Sequence, residues 1–221
     1  MMPMHAESIH QVLALVTEDC QQWQVPSVSV IADAYRSPFH VLVSCIISLR
    51  TKDSVTAAAS ARLFQHASTV EALAALDADE IASLIYPAGF YRNKAVQIQA
   101  ICRRLLDEYH GQVPDDLETL LTFKGVGRKT ANLVLTLGHG KLGICVDIHV
   151  HRITNRWGYV SCATPDQTEL ALRAKLPTQY WMTINDLLVS YGQHRCFPLN
   201  PACSRCRLTD WCRQVGVQRY R

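Results

Sequence analysis

Apolar residues recur every three or four positions along most of the chain, and this spacing places them on one face of an α-helix. Three stretches show the repeat clearly: Ile9-Val12-Leu13-Val16, Ile98-Ile101-Cys102-Leu105 and Ile184-Leu187-Leu188-Tyr191. The segment from Val25 to Ile31 alternates weakly, as a strand would, but it is short and contains Pro26, so it predicts a loop. The pattern therefore predicts an all-α protein.

Residues that favour helix starts stand between the apolar stretches. Ser37 and Thr164 are each followed by a proline, which combines an N-cap with the residue preferred at the first helical position. The stretch from Ser68 to Glu71 has the spacing of a capping box, in which two side chains bond two backbone amides reciprocally. These start signals agree with the helical periodicity.

The composition excludes two classes of protein. Of 221 residues, 48% are hydrophobic and 19% are charged, with 10 glycines and 9 prolines, which is not the composition of a disordered chain. The longest apolar run, Val41–Leu49, is much shorter than the ~18 residues of a membrane-spanning helix. The N-terminal sequence does not have the basic start and the following apolar block of a signal peptide. We therefore expect one large domain or two small ones, with no membrane partner.

Charge is distributed unevenly along the chain. The net charge of +3 does not by itself indicate a nucleic-acid partner. Residues 1–110 carry 8 basic and 11 acidic side chains, a balance of −3, whereas residues 111–221 carry 14 and 8, a balance of +6. An excess of this size is typical both of an ordinary solvated face and of a phosphate-binding surface, so charge alone leaves both open.

Four of the nine cysteines crowd into 17 residues, with the spacing Cys196-x6-Cys203-x2-Cys206-x5-Cys212. An odd total without a secretory signal argues against a disulfide framework and for a metal site in a reducing compartment. Four nearby thiolates suit a tetrahedral zinc ion or an iron–sulfur cluster, because soft sulfur ligands select both. The spacing differs from the common zinc layout of two CxxC pairs, but ligand chemistry alone leaves zinc open.

A glycine-rich turn lies between two apolar helical stretches. The turn is Gly125-Val126-Gly127, and the following helix is expected to begin at Arg128. The backbone amides of such a turn and the positive end of a helix form a site for phosphate that is indifferent to nucleic-acid sequence. Lys124, Arg128 and Lys129 add positive charge around it.

Lys129 allows two interpretations. It is either one more phosphate-contacting lysine or a nucleophile, because the positive end of a helix and neighbouring cations favour the free amine of a lysine. Such a nucleophile needs a carboxylate nearby, and Asp147 in the segment Cys145–Arg152 is the candidate. The other role open to Asp147 is the N-cap of a helix, and the two roles can coexist.

Three motifs, in this order, resemble those of one known family. They are GVGRKTAN at the glycine turn, VDIHVHR around Asp147, and the four-cysteine spacing. Together, from about Ser37 to Cys212, they resemble endonuclease III, a helix-hairpin-helix DNA glycosylase with a [4Fe–4S] cluster. The resemblance implies a two-lobed, all-α fold, with a six-helix barrel domain over residues 31–141 and an iron–sulfur cluster domain formed by residues 1–30 and 142–221.

The resemblance implies a bifunctional enzyme of base excision repair, a DNA N-glycosylase and DNA-(apurinic or apyrimidinic site) lyase. Lys129 would attack C1′ of a flipped, oxidised pyrimidine nucleotide, and Asp147 would stabilise the developing sugar cation and transfer protons. Loss of the base leaves a Schiff base, and β-elimination then cuts the strand 3′ to the lesion. The implied ligands of the cluster, which would act chiefly as a structural clamp, are Cys196, Cys203, Cys206 and Cys212.

The implied partner is double-stranded DNA with a damaged base or an abasic site, bound by a monomer. A base inside the duplex cannot be reached, so the nucleotide must flip out, and two segments are expected to fill the space it leaves. Arg50 stands where the best-known relatives have glutamine, and its donors suit the acceptors of guanine. The other implied DNA-binding residues are Lys124, Gly125, Val126, Gly127, Arg128, Thr130, Ala88, Phe90, Tyr91 and Arg205.

Two alternatives remain open. Monofunctional mismatch and adenine glycosylases of the same superfamily generally lack the lysine that this chain has at Lys129. A non-catalytic DNA-binding repair module would use the glycine turn for phosphates but would gain nothing from Asp147. Since neither a signal peptide nor a membrane span is indicated, the protein is expected in the cytoplasm, associated with the nucleoid.

Overall fold

The computed structural model describes residues 8–221. Within this range the chain forms twelve α-helices and no β-strand, which confirms the predicted fold class. The helices, in chain order, are α1 Ser8–Cys20, α2 Ser27–Tyr35, α3 Pro38–Ser48, α4 Asp53–His66, α5 Val70–Ala75, α6 Ala78–Ile85, α7 Tyr91–Tyr109, α8 Leu117–Leu121, α9 Arg128–Leu133, α10 Ile148–Trp157, α11 Pro165–Lys175 and α12 Ile184–His194. A π-helical segment, Val134–Gly138, continues α9.

The chain divides into two compact units. The first, here called the hairpin unit, is Ser27–Leu142. The second, the cysteine unit, joins the N-terminal segment through Pro26 to Gly143–Arg221. One of the two domain boundaries expected from the sequence, between residues 30 and 31, falls inside α2, whereas the unit boundary lies just before that helix.

The predicted loop from Val25 to Ile31 is wrong, because α2 begins at Ser27. The carboxylate of Asp53 accepts hydrogen bonds from the backbone N–H of Ser27, at 3.1 and 3.2 Å, and from its hydroxyl, at 2.7 Å. These bonds satisfy an amide that the first turn of a helix leaves without an intrahelical acceptor. Pro26 immediately precedes the helix, where a missing N–H costs little.

Helix α3 forms the centre of the hairpin unit. The residues from Phe39 to Ile47 are all buried, and α3 packs against α2, α4, α7, α9 and the π-helical segment. A helix surrounded on every side is apolar around its whole circumference, which explains why the longest apolar run of the chain lies here. No helix in the described range is both long and apolar enough to cross a membrane.

The core of the cysteine unit is built from the apolar faces of α1, α10, α11 and α12. The stripe predicted in α1 lies entirely in this core, and the stripe of α12 lies there through Ile184, Leu188 and Tyr191. Gly192 permits a close approach of α12 to α10, because a Cβ at this position would lie 2.3 Å from Nδ1 of His149. The segments that form this core are therefore far apart in the sequence.

Most predicted helix starts are confirmed, and one is displaced by a residue. Thr164 is the N-cap of α11 and accepts a hydrogen bond from Gln167, while Ser37 is the N-cap of α3 without a side-chain bond. The capping box predicted at Ser68 is wrong, because Thr69 is the N-cap of α5. The capping box observed in this region is formed by Asp77 and Glu80 at α6.

Candidate functional site

A helix-hairpin-helix is formed by α8, the glycine turn and α9. Asp116 caps α8 by accepting a 2.8 Å hydrogen bond from Thr119 N, and the turn closes with a 3.0 Å bond from Val126 N to Phe123 O. Gly125 has φ +79°, a left-handed conformation that favours glycine. α9 begins at Arg128, as predicted. The local sequence therefore favours this turn through its helix cap and its glycines.

The turn and the start of α9 expose backbone and cationic side chains to solvent, but some of their residues are buried. Lys124, Gly125 and Gly127 are exposed, and Arg128 and Lys129 are half-buried. Val126 and Thr130 were expected to bind DNA, but both are buried, with Thr130 only 3% exposed. Their side chains pack inward because they occupy the inner face of the turn and of α9, so only their backbone remains available to a ligand.

Gln97 of α7 supports the hairpin through a hydrogen bond. This role was not predicted from the sequence. Its Nε2 donates a 2.9 Å hydrogen bond to the carbonyl of Lys124. A Cβ on Gly125 would lie 2.3 Å from the same Nε2, so the glycine leaves room for this support. No sequence pattern distinguishes a glutamine that supports a turn from any other glutamine on a helix.

Lys129 lies in the first turn of α9, close to the buried thiol of Cys45 in α3. Burial raises the pKa of Cys45 to about 12, and the charge of Lys129 opposes that rise. The thiol therefore stays protonated at neutral pH, and it does not form an ion pair with the lysine. The half-buried Lys129 thus lies beside a buried residue of α3, the central helix of the unit.

Two loops of the hairpin unit bring Arg50 and Phe90 together. The guanidinium of Arg50 lies 5.6 Å from the centroid of the Phe90 ring, and Phe90 is 60% exposed. Tyr91 beside it is half-buried. Ala88, expected to enter the DNA, is only 2% exposed, because it lies inside a turn in which its N–H bonds Ile85 and its carbonyl accepts from Tyr91. Phe90, and not Ala88, therefore offers an apolar side chain to solvent next to Arg50.

Asp147, in the cysteine unit, is the N-cap of α10. Its Oδ1 accepts hydrogen bonds from His149 N at 2.7 Å and from Val150 N at 2.9 Å. The residue is 7% exposed, and neither of these bonds uses Oδ2. Two charge-assisted bonds fix the carboxylate in one orientation, and the second oxygen is left for another contact.

The other end of α10 is bonded to the loop that carries the cysteines. Arg156 donates to Cys196 Sγ at 3.2 Å, to Phe197 O at 2.8 Å and to Pro198 O at 3.1 Å. Arg152, one turn earlier, donates to the carbonyl of Cys196 at 3.0 Å. A buried guanidinium is stable only when its donors are paired, so these bonds hold the loop against the helix.

The four clustered cysteines lie near one another, and three of them, Cys196, Cys206 and Cys212, have hydrogen bonds at sulfur. Tyr191 OH is 3.1 Å from Cys206 Sγ, and Gln214 N donates to Cys212 Sγ at 3.4 Å. Burial, together with the charges of the other three cysteines, raises the pKa of Cys212 to about 12. No set of three or more His, Cys, Asp or Glu in residues 8–221 surrounds a single ion-sized position. Arg205 is exposed beside these thiols.

Similarity to known proteins accords with this arrangement. Residues 43–178 match the family described as HhH-GPD superfamily base excision DNA repair protein. Endonuclease III of Thermotoga maritima is 46% identical over 175 residues, which cover 79% of this chain and 82% of the relative. Endonuclease III homolog 2, chloroplastic, of Arabidopsis thaliana is 44% identical over 183 residues, which are 79% of this chain but only 47% of the relative.

A solved structure shares the whole fold. It is a trapped covalent intermediate of endonuclease III with DNA, described as an estranged-adenine complex. It matches with a TM-score of 0.84 and 30% identity, over 96% of this chain and 97% of that one. Such coverage extends beyond the hairpin to both units. The chain therefore belongs to the endonuclease III family of the HhH-GPD superfamily of base excision DNA repair proteins.

Proposed function

We propose that this protein is a DNA N-glycosylase and AP lyase that removes oxidised pyrimidines from double-stranded DNA. The observation that carries the proposal is the position of Lys129, half-buried in the first turn of the helix that follows the glycine turn. A binding module needs exposed positive charge at such a turn, but it does not need a half-buried lysine beside the buried Cys45 of α3. A monofunctional glycosylase uses water in place of the amine.

The hairpin is proposed to hold the DNA backbone. Gly125 and Gly127 bring main chain to the surface with no side chain covering it, and Lys124 is exposed beside them. Phosphates are bound well by backbone amides near the positive end of a helix, and this contact does not depend on base sequence. Arg205 of the cysteine unit supplies a further exposed cation.

The proposed chemistry begins at the amine of Lys129. Its free electron pair attacks C1′ of the flipped nucleotide, the glycosidic bond breaks, and the base leaves with the bonding electrons and a proton. The nitrogen then loses one proton, and the C1′–O4′ bond of the sugar breaks as O4′ takes up a proton, which gives a protonated Schiff base between Nζ and C1′. Removal of a proton from C2′ then expels the 3′ phosphate, which cuts the strand 3′ to the lesion.

Asp147 is proposed to assist as a carboxylate of fixed orientation. A negative charge near the sugar stabilises the cation that develops as the base leaves, and an oxygen with free lone pairs can accept the proton of the attacking amine. Burial and the use of Oδ1 alone for capping α10 support both tasks. The two hydrogen bonds by which Asp147 caps α10 would thus also hold its carboxylate in place for the reaction.

Arg50 and Phe90 are proposed to occupy the space that the flipped nucleotide leaves. Phe90 is an exposed aromatic side chain beside Arg50, and an aromatic ring can stack on the neighbouring base pair. The guanidinium of Arg50 can donate to the O6 and N7 of an unpaired guanine, which is the best match for its fork of donors. A guanine opposite the lesion is therefore the expected preference.

A panel of duplexes tests this function against its alternatives. Each duplex carries either an oxidised pyrimidine opposite one of the four bases, an adenine–8-oxoguanine pair, or a thymine–guanine mismatch. We expect strand cleavage at the oxidised pyrimidine, with the highest rate opposite guanine. Base loss at a mismatch without strand cleavage would favour a monofunctional glycosylase, and binding without any base loss would favour a repair module.

The cysteine loop is proposed to hold a [4Fe–4S] cluster through Cys196, Cys203, Cys206 and Cys212. Four thiols in one loop, with Arg156 and Tyr191 bonded to two of the sulfurs, fit the donor set of such a cluster. Bound there, the cluster would supply four metal–sulfur bonds to a loop with little apolar content, and so act as a structural clamp. Zinc, which thiolates also bind, is the competing assignment.

Metal analysis of purified protein decides between the two. We expect about four iron and four acid-labile sulfide per chain, a brown colour, and loss of both in Cys203→Ser. Cys162→Ser is the matched control, because Cys162 is equally half-buried but lies outside the loop, and it should retain the iron. A colourless protein with one zinc per chain and no sulfide would contradict the cluster.

The remaining expectations follow from the proposed substrate. An enzyme that acts on one flipped nucleotide through a single hairpin and a single lysine works as a monomer. Its place is with chromosomal DNA, which in a bacterial cell means the cytoplasm and the nucleoid.

A further inference from the structure

Lys94, in the first turn of α7, is a buried lysine that the proposed chemistry does not use. It is 5% exposed, and its Nζ donates to Ile47 O at 2.7 Å, Leu49 O at 2.5 Å and Thr51 Oγ1 at 2.8 Å. Buried lysines are rare unless they are paired, because desolvation disfavours the charged amine. Burial lowers the pKa of Lys94 to about 8, so most of it is still charged at neutral pH.

The surroundings of Lys94 are matched to an ammonium group. An ammonium has three N–H donors and no acceptor, and the side chain meets three acceptors, of which two are backbone carbonyls. The carbonyls of Ile47 and Leu49 lie at the C-terminal end of α3, which carries the negative end of the helix dipole. Charge and geometry therefore both favour a lysine at this position.

Thr51 extends this contact to the loop before α7. Its hydroxyl accepts from Lys94 and also from Gly89 N at 3.0 Å, and it donates to Leu49 O at 3.2 Å. The two loops also touch through their main chains, because a Cβ on Gly89 would lie 2.4 Å from the carbonyl oxygen of Arg50. Lys94, Thr51 and Gly89 form one connected set of bonds, here called the clasp.

The clasp lies directly beneath the two side chains that are proposed to enter the DNA. Arg50 precedes Thr51, and Phe90 follows Gly89. Both have left-handed backbone conformations, with φ +52° and +57°, which arginine and phenylalanine seldom adopt. Such conformations persist only where the surrounding structure holds them, and the clasp is the structure that surrounds these two.

We propose that Lys94 is a positioning residue that ties the Arg50 loop to the Phe90 loop, so that both side chains meet DNA as one preformed pair. This inference rests on the proposed function and assigns to the same site a residue that does not touch the substrate. Preformed side chains spare the protein the cost of ordering them when the duplex opens. Without the clasp, each loop would reach the DNA separately.

Single-stranded and double-stranded substrates separate this role from the chemistry. Opening a duplex requires side chains to take the place of the flipped nucleotide, whereas an abasic site in a single strand is already accessible. In Lys94→Met, which keeps an unbranched side chain of similar length and removes its donors, we expect excision from duplex DNA to fall about 10- to 100-fold. Borohydride trapping on the single-stranded abasic site should stay within about twofold of wild type.

Two further variants make the test specific. Thr51→Val keeps the shape of the side chain but removes the hydroxyl that joins the loops, so it should cause the same selective loss to a smaller degree. It also carries the test if Lys94→Met does not fold. Lys141→Met is the matched control, because Lys141 is an exposed lysine of the same unit that pairs with Asp115, and both of its rates should match wild type.

A fluorescent base opposite the lesion gives a readout that a loss of stability would not move. 2-Aminopurine brightens when it loses its stacking partners, so the wild-type protein should raise its emission on binding and Lys94→Met should raise it much less. Equal losses on both substrates, or wild-type excision from duplex DNA in both variants, would overturn the role of Lys94. If wild type itself traps no abasic site, in a single strand or in a duplex, the proposed function fails instead.

Discussion

Lys129→Ala is expected to abolish borohydride trapping on DNA that contains an abasic site. Borohydride reduces a Schiff base to a stable amine, so the covalent product forms only if an amine of the protein has attacked C1′. Removal of the nucleophile should lower trapping by at least about a thousandfold. Binding should be retained, because one cation among several contributes only a part of the phosphate contact. The trapped product is measured on a denaturing gel, and binding is measured by fluorescence anisotropy.

Lys124→Ala is the matched control for this substitution. Lys124 lies in the same glycine turn, five residues earlier, and is exposed to solvent. Its loss should weaken binding and reduce its salt dependence, while trapping at saturating protein stays near wild type. If Lys129→Ala traps as well as wild type, another amine is the nucleophile, and mass spectrometry of the adduct would identify it.

Asp147→Asn is expected to slow base excision about 100- to 1,000-fold with little change in stability. Asparagine is as good an N-cap as aspartate, so its side-chain oxygen can keep the bonds to His149 and Val150. What the substitution removes is the negative charge and the ability to accept a proton. Single-turnover excision, anisotropy and thermal unfolding measure the three quantities separately.

Two cap variants complete the design. Asp147→Ala removes the cap as well as the charge, so it should lose about 1 kcal/mol of stability in addition to the rate. Thr164→Ala removes the cap of α11, a helix of the same unit, and should lose a similar amount of stability while excision stays normal. A variant Asp147→Asn that loses stability and affinity in proportion to its rate would mean that Asp147 is only a cap.

Features with a local cause were predicted well from the sequence. The apolar stripe of α1 and the start of α9 at Arg128 follow from periodicity and from the glycines of the turn, and the structure confirms both. The clustering of Cys196–Cys212 follows from spacing alone. In each case the residues that determine the structure are neighbours in the chain, so their pattern contains the necessary information.

Features held by distant partners were missed. The start of α2 depends on Asp53, which lies 26 residues beyond Ser27. The role of Lys94 depends on carbonyls that lie more than 40 residues before it, and carbonyls have no signature in a sequence. Ala88 was expected to bind DNA because of its place in a motif, whereas the local turn buries it. Contacts of this kind appear only when the chain is folded.

The divided construction of the cysteine unit has a consequence for synthesis on the ribosome. The hairpin unit is one continuous segment and can fold as soon as its last residue has emerged, whereas α1 packs against α12, which is made much later. At the usual rate of about 5–20 residues per second, that wait lasts on the order of 10 s. Until α12 has been made, the apolar face of α1 has no partner, even after the hairpin unit has folded. α1 is therefore a suitable binding site for a ribosome-associated chaperone.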